Sequence, residues 1–369
     1  MVIEYMQGKI VLFTANTMGG IIQFTVQVYH TLIELDYSVV IYCPNEARKA
    51  IANEVASADI QTYKKVKSVI RKQPYREISS RIEREYPEYV WFCDDSVICA
   101  EVGLHIKKDV KIKQMLTMHD AGGYHPTNRL NLRTRVLRHY SEMINRLFFK
   151  RLHRFVLLSS ESEKVFKERY PAEDSKVVRV NLGAHIPRTK EVMPSEITCL
   201  NGGKYLMFFG RIDKYKGIGS LLHAYLKCED IALPLVIAGS GVLTADEKTL
   251  YEHSKKVILI NRFITDGEMK WLFANCHAVF LPYIEATQSG VIPIAYSYEK
   301  PVIVSDLPGL KQFVEDGKTG SICSSNVDWE NTIIQYSQRD TGEMQRQIRQ
   351  YYESNMNWND NIGKMFAEL

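Results

Sequence analysis

The sequence predicts an α/β protein made of two doubly wound, Rossmann-like domains. Three observations carry that prediction. Short, almost continuously apolar runs alternate with longer runs of helical spacing, the pattern of βαβ units. The alternation falls into two series separated by a stretch without periodicity. The chain has 369 residues, and at roughly 100–200 residues per domain that length suits two cores.

The first series opens with KIVLFTAN (9–16) and the helical run IIQFTVQVYHTLIEL (21–35). SVVIYCP (38–44), YVWFCDD (89–95), KQMLTMHD (113–120) and RFVLLSS (154–160) follow as strands. Runs this apolar are expected where helices cover both faces of a parallel sheet. The stretch 184–203, with two prolines and a Gly-Gly pair, is the linker candidate. The second series is YLMFFGR (205–211), PLVIAGS (234–240), VILINRF (257–263), AVFLPY (278–283) and PVIVSD (301–306). The tail beyond 328 has helical spacing, and its Tyr351, Tyr352, Trp358 and Phe366 need a surface to pack on. The domains are therefore read as 1–186 and 187–350, followed by a terminal helical segment, 351–369.

Composition excludes several classes. Gly and Pro together are 33 residues, below ordinary usage of about 12%, which rules out collagen-like and mostly disordered chains. The net charge of +4 and pI near 8.5 are too mild for a dedicated nucleic-acid binder, so no nucleic-acid partner is expected. Seven cysteines without a CxxC pair read as reduced thiols rather than disulfides or structural zinc. No apolar run reaches the ~18–20 residues of a membrane span, and the N-terminus lacks a signal-peptide pattern. A cytoplasmic protein is the expectation.

In open α/β sheets ligands bind outside the carboxyl ends of the strands, so the residues there carry the functional reading. After the first strand comes Thr-Met-Gly19-Gly20, either a tight turn or a close backbone approach to a ligand. It is not GxGxxG, and the second strand ends Tyr-Cys-Pro without the acid a dinucleotide ribose needs, so NAD is disfavoured. After the fourth of these strands, at 118, comes His119-Asp120-Ala and then two glycines, which suits either substrate contact or local capping. Gly210-Arg211 and, five residues on, Lys216-Gly217 place two cations between glycines before a helix, a pattern that suits a diphosphate. GxxxxGK[ST] is absent. Glu285 stands ahead of Gln288-Ser289-Gly290-Val291 at a helix start; the amides can hold phosphate and the carboxylate sugar hydroxyls, or the acid simply complements the helix dipole. The Arg211/Lys216 turn lies two or three strands from Glu285 on this reading.

These motifs, in this order, resemble the retaining glycosyltransferases of family 4, which have the GT-B fold of two Rossmann-like domains facing across a cleft. The carriers are FFGRIDKYKGIGSLLHAY, LVIAGSGV, NRFI, AVFLPYIEATQSGVIPIAY and PVIVSDLPGLKQFVEDGKTG. The resemblance implies transfer of a hexose-type sugar, with retention, from a nucleotide-diphosphate donor, a UDP-sugar before a GDP-sugar. The acceptor would be a glycan or lipid-linked molecule of bacterial surface polysaccharide or glycolipid synthesis. It implies that Arg211 and Lys216 neutralise the diphosphate and that Gly210, Gln288 and the backbone of Ser289, Gly290 and Val291 cradle it. Glu285 would hold donor sugar hydroxyls and His119 would touch the sugar. Gly19 and Gly20 would pass close to the donor, and Asn261, Arg262, Phe263 and Ile264 would line the base. No bound metal and no cofactor are implied, and the final helix would cross back to the first domain. The family's E-x7-E pattern is broken: the residue eight after Glu285 is Pro293, and a shifted alignment gives Ile294 or Ala295. Two rival readings remain. One is a nucleotide-sugar epimerase of the same fold. The other is a non-catalytic nucleotide-sugar-binding partner subunit, for which the missing second glutamate is the cue.

The charge is unevenly spread. Residues 1–186 carry 28 Lys/Arg against 21 Asp/Glu, and residues 187–369 carry 19 against 22. The stretch 127–154 supplies the excess: Arg129, Arg133, Arg135, Arg138, Arg146, Lys150, Arg151 and Arg154 face one acid, Glu142, with apolar residues between them. It reads either as an ordinary half-packed helix or as a basic amphipathic face for an anionic membrane or a lipid-linked acceptor, with Arg133, Arg138, Arg146 and Lys150 as its contacts.

Overall fold

A computed structural model of the chain describes residues 7–66, 71–119, 121, 132–200, 202–228, 231 and 233–368. It divides into two compact units, Met1–Asn181 with Trp358–Leu369, and Leu182–Asn357. The first unit runs β1 (Gln7–Phe13), α1 (Gly20–Glu34), β2 (Tyr37–Pro44), α2 (Arg48–Ile51), β3 (Ile60–Tyr63), α3 (Gln73–Glu83), β4 (Tyr89–Phe92), α4 (Val97–His105), β5 (Lys113–Met118), α5 (Leu132–Phe149), β6 (Arg154–Leu157), α6 (Ser160–Arg169) and β7 (Val177–Arg179). The second runs β8 (Leu206–Phe209), α7 (Ile218–Lys227), β9 (Leu235–Gly239), α8 (Ala245–Glu252), β10 (Val257–Asn261), α9 (Asp266–Asn275), β11 (Ala278–Leu281), α10 (Val291–Ser297), β12 (Val302–Ser305), α11 (Pro308–Lys311), β13 (Gly320–Cys323), α12 (Asn326–Gln338) and α13 (Gly342–Asn355). A last helix, α14 (Trp358–Ala367), belongs to the first unit.

Both sheets are parallel and doubly wound, as the sequence predicts. Their orders are β3-β2-β1-β4-β5-β6-β7 and β10-β9-β8-β11-β12-β13. The central strands are apolar because both faces are covered: Ile10–Phe13, Val90–Phe92, Ala278–Leu281 and Val302–Val304 are buried throughout. Helices start where a hydroxyl can cap them. Ser96 and Ser159 accept from the third backbone amide of α4 and α6, and Thr244 and Thr265 form capping boxes with Glu247 and Glu268. In each sheet the strand order reverses once, between β1 and β4 and between β8 and β11, which fixes where a ligand crevice can open.

The sheets include three edge strands that the sequence reading did not list, β3, β7 and β13, and two further details differ. The stretch 184–203 is not a loose linker but part of the second unit. Val192 N–H donates to Gly267 O (2.9 Å), Lys270 Nζ to Thr189 O (2.8 Å), and Arg262 grips Glu196. With no periodicity of its own, the segment satisfies its backbone on α9. The crossings fall at 181/182 and 357/358 rather than 186/187 and 350/351, because Tyr351 and Tyr352 lie on α13 against the second core. Trp358 and Phe366 are the aromatic residues that pack on the first unit, on Phe24 and on Tyr37 and Tyr89. No helix among the described residues is long and apolar enough to cross a membrane.

Candidate functional site

The second unit's site is assembled at its strand-order reversal. β8 and β11 are neighbours in the sheet, so Arg211 and Lys216 follow one strand and Glu285 follows the next. They are adjacent, not two or three strands apart, because the crossover sends β9 and β10 to the far side of β8. The two loops are tied to each other. Ile284 N–H donates to Tyr215 O (2.8 Å), and a Cβ on Gly217 (φ 64°) would stand 1.8 Å from Pro282 O. A glycine is required there on both counts.

Lys216 is the electrostatic centre. Its Nζ lies 3.5 Å from the ring centroid of Tyr283 and 4.8 Å from that of Tyr215, and it forms no salt bridge among the described residues. Desolvation, helped by the Arg211 charge and opposed by Asp213, pulls its pKa from 10.5 down to about 7. A cation over desolvated aromatic faces gains about 2 kcal/mol, less than its lost hydration, so the site is poised for an anion. The Tyr283 hydroxyl meets Ser289 Oγ at 3.3 Å, and Ser289 Oγ accepts from Val291 N–H (3.3 Å) at the start of α10. Gly210 (φ 136°) has open space where a Cβ would stand, Arg211, Glu285 and Gly290 are exposed, and Gln288 is half-buried. Sequence reasoning missed Tyr283 and Tyr215. Their signal was a tyrosine close to each charged residue, Tyr215 next to Lys216 and Tyr283 two residues before Glu285, which becomes meaningful once β8 and β11 are known to be adjacent.

Next to this pair, a hollow of about 450 Å³ is lined by Arg211, Asp213, Ser240, Gly241, Val242 and Thr244, among others. Asn261 Oδ1 accepts from Gly241 N–H (3.1 Å), stapling the ends of β9 and β10. Arg262 is committed elsewhere. Its guanidinium holds Glu196 (2.8 Å) and Glu268 (2.8 Å), which drives the Glu268 carboxyl down to about 2. It braces the loop, and its fork is not open to a ligand in this state. Phe263 is 66% exposed and can face a planar base, whereas Ile264 packs into the core. Pro293 is buried in the first turn of α10 and offers no polar group to a ribose.

The first unit's reversal point is organised differently. Asp94 is buried and accepts from Thr14 Oγ1 (2.9 Å), Ala15 N–H (2.8 Å), Ser96 N–H (3.2 Å) and Cys99 Sγ (3.2 Å). These bonds join the β1–α1 and β4–α4 loops. Gly19 (φ 83°) caps α1, Gly20 begins it, and neither has an atom near the position of a Cβ. His119, one residue past β5, donates from Nε2 to Cys93 O (2.9 Å), and Phe24 meets its ring edge-to-face at 5.0 Å. Burial holds its pKa below the ordinary value, so the imidazole is neutral at pH 7 with Nδ1 as the acceptor. Asp120 and residues 122–131 lie outside the described residues, as do the side chains of Arg133 and Arg138.

Helix α5 buries Ile144, Phe148 and Phe149 and exposes Val136, Leu137, Met143 and Leu147 beside Arg135, His139, Arg146 and Lys150. Arg151 leaves the basic set: its guanidinium donates to Leu104 O and to Ile106 O (2.5 Å), closing the end of α4. Between α5 and α6 a hollow of about 200 Å³ is lined by Asp95, Glu142, Arg146 and Tyr170, among others. Among the described residues no group of three His, Cys, Asp or Glu is placed to hold a metal ion.

Residues 203–338, all within the second unit, match the family model "Glycosyl transferases group 1". No curated protein matches. The fold matches GT-B structures over nearly the whole chain. Anabaena Alr3699/HepE in complex with UDP superposes with TM-score 0.73 at 13% identity, covering 98% of this chain and 100% of that one. Sucrose-phosphate synthase from Thermosynechococcus elongatus gives 0.71 at 13% identity, covering 98% and 99%. A glycosyltransferase from Rickettsia africae gives 0.71 at 15%, covering 98% of each chain.

Proposed function

We propose that the protein is a retaining, family 4 glycosyltransferase that moves a hexose-type sugar from a nucleotide-diphosphate donor to a glycan or lipid-linked acceptor. The observation that carries this reading is the meeting of Arg211, Lys216 and Glu285 at the β8/β11 reversal, within the residues that match the group 1 model. Negative charge grows on the diphosphate as the sugar departs, and two cations fixed there act most strongly in the transition state. Lys216 is short of counter-charge in the free protein, so the arriving diphosphate supplies its partner and restores its proton. Glu285 accepts hydrogen bonds from sugar hydroxyls, the amides at Ser289–Val291 hold phosphate oxygens, and Phe263 faces the base. His119, neutral and with Nδ1 as acceptor, is assigned to a sugar hydroxyl.

UDP is the favoured carrier; the Anabaena structural neighbour was also solved with UDP-glucose. The proposal extends to bacterial surface polysaccharide or glycolipid synthesis without a bound metal or cofactor. It also includes peripheral contact with the inner face of the membrane through α5, where Arg146 and Lys150 are exposed beside Met143 and Leu147. The test is a thermal-shift panel of UDP-, GDP- and ADP-sugars, since a ligand bound by the folded state alone raises its stability. A selective rise with UDP-sugars is expected, followed by acceptor-dependent release of UDP with the anomeric configuration kept. No rise with any nucleotide would sink the reading. A rise without turnover on any acceptor would favour the non-catalytic alternative, to which Pro293 points.

A further inference from the structure

Two contacts, different in kind, help to hold His119. Its Nε2 donates to the Cys93 carbonyl, which fixes one end of the ring. Its plane is set against Phe24, whose ring centroid lies 5.0 Å away at 85°. Phe24, on α1, is itself buried between two other rings: Trp91 at 6.4 Å and 78°, and Trp358 at 5.6 Å and 64°. Trp91 is immobilised by its own bond to Thr117 Oγ1 (2.8 Å). Trp358 is the first residue of α14, is buried, and its Nε1 finds no acceptor among the described residues. A buried indole N–H without a partner costs stability, so a phenylalanine would serve packing at least as well. What the ring itself supplies is a face and an edge for Phe24.

We propose that Trp358 is a positioning residue for His119, acting through Phe24, so that the last helix of the fold sets the orientation of an imidazole more than two hundred residues earlier in the chain. The functional meaning of that orientation rests on the reading of His119 as a substrate contact, but the contact itself can be tested without nucleotide. An imidazole that turns out of plane loses its bond to Cys93 O, and with it the fixed Nε2–H tautomer.

The experiment is long-range proton–nitrogen NMR of the histidine rings in the full chain, with His119→Gln identifying the signal. The wild type should show one neutral Nε2–H tautomer. Trp358→Leu keeps apolar bulk but removes the ring; it should mix the tautomers and raise the His119 titration midpoint by roughly half a unit or more as burial loosens. Trp358→Phe should restore the wild-type signal. Phe366→Leu loosens the same helix at its contacts with Tyr37, Tyr89 and Trp91, a ring that its own bond to Thr117 Oγ1 holds in place, and should lower the melting temperature while leaving the His119 signal alone. An unchanged His119 signal in Trp358→Leu overturns the proposal, as does an equal change in Phe366→Leu. Because no nucleotide is present, failure of UDP to bind tells against the transferase reading and not against this one.

Discussion

The β1/β4 and β8/β11 reversal points occupy the same place in two sheets of similar order, yet they hold charge in opposite ways. At β1/β4 the charged group, Asp94, is buried and its oxygens are filled by donors from its own unit. At β8/β11 the charged groups are left short: Lys216 rests on aromatic rings, and Arg211 and Glu285 stand in the open. Topology offers a crevice in both units. Whether it becomes scaffold or site depends on whether the polar groups there are already satisfied.

Substitutions can break this contrast. The largest effect is expected at the unsatisfied site: Lys216→Ala or Glu285→Ala should lower turnover about 100-fold or more with little change in melting temperature, measured by UDP release. Near-normal rates in either would remove the site assignment. The reverse is expected for Asp94→Ala, which strands several buried donors and should cost about 3 kcal/mol in urea unfolding while UDP affinity stays unchanged. Third comes pH. Below pH 7 Lys216 is protonated in the free protein, and above it each unit should weaken UDP binding by up to about tenfold in calorimetry. Lys216→Met should bind weakly and without that slope. In the unfolded chain this lysine keeps its proton to about pH 10.5, so between the two values the unfolded state binds more protons and stability rises with pH; the Met variant should lose that rise. The last effect is on the first unit's surface. Reversing Arg146 or Lys150 to Glu changes the charge by two and should weaken sedimentation with anionic vesicles at low salt by roughly tenfold or more, at about 1 kcal/mol per unit of charge, with the melting temperature unchanged. No vesicle binding by the wild type at low salt ends the membrane proposal.

The ten more apolar strands and the glycine-flanked cations were legible because apolar runs and turn residues are local signals, whereas the short edge strands β3, β7 and β13 were not. The adjacency of β8 and β11 was not, since crossover order is set by which strands find each other, and no residue near Glu285 records it. The doubled grip of Arg262 on Glu196 and Glu268 was hidden for the same reason: one partner lies 66 residues away in a segment that reads as linker. The basic stretch over-counted its free charge because Arg151 folds back onto α4, a contact with no periodic signature. The aromatic tail was rightly seen to need a surface, but the split between α13 and α14 is a matter of tertiary partners.

The return of α14 to the first unit also orders events in time. Trp358, Ile362 and Met365 are buried parts of that unit's interior, yet they are made only after Leu182–Asn357 has been synthesised. On a ribosome, where N-terminal domains ordinarily fold first, this chain can finish its second unit while the first still lacks one wall of its core. The Phe24–His119 pair must wait until residue 358 has been made to receive its neighbour Trp358. The unit that begins the chain is therefore the later one to be completed.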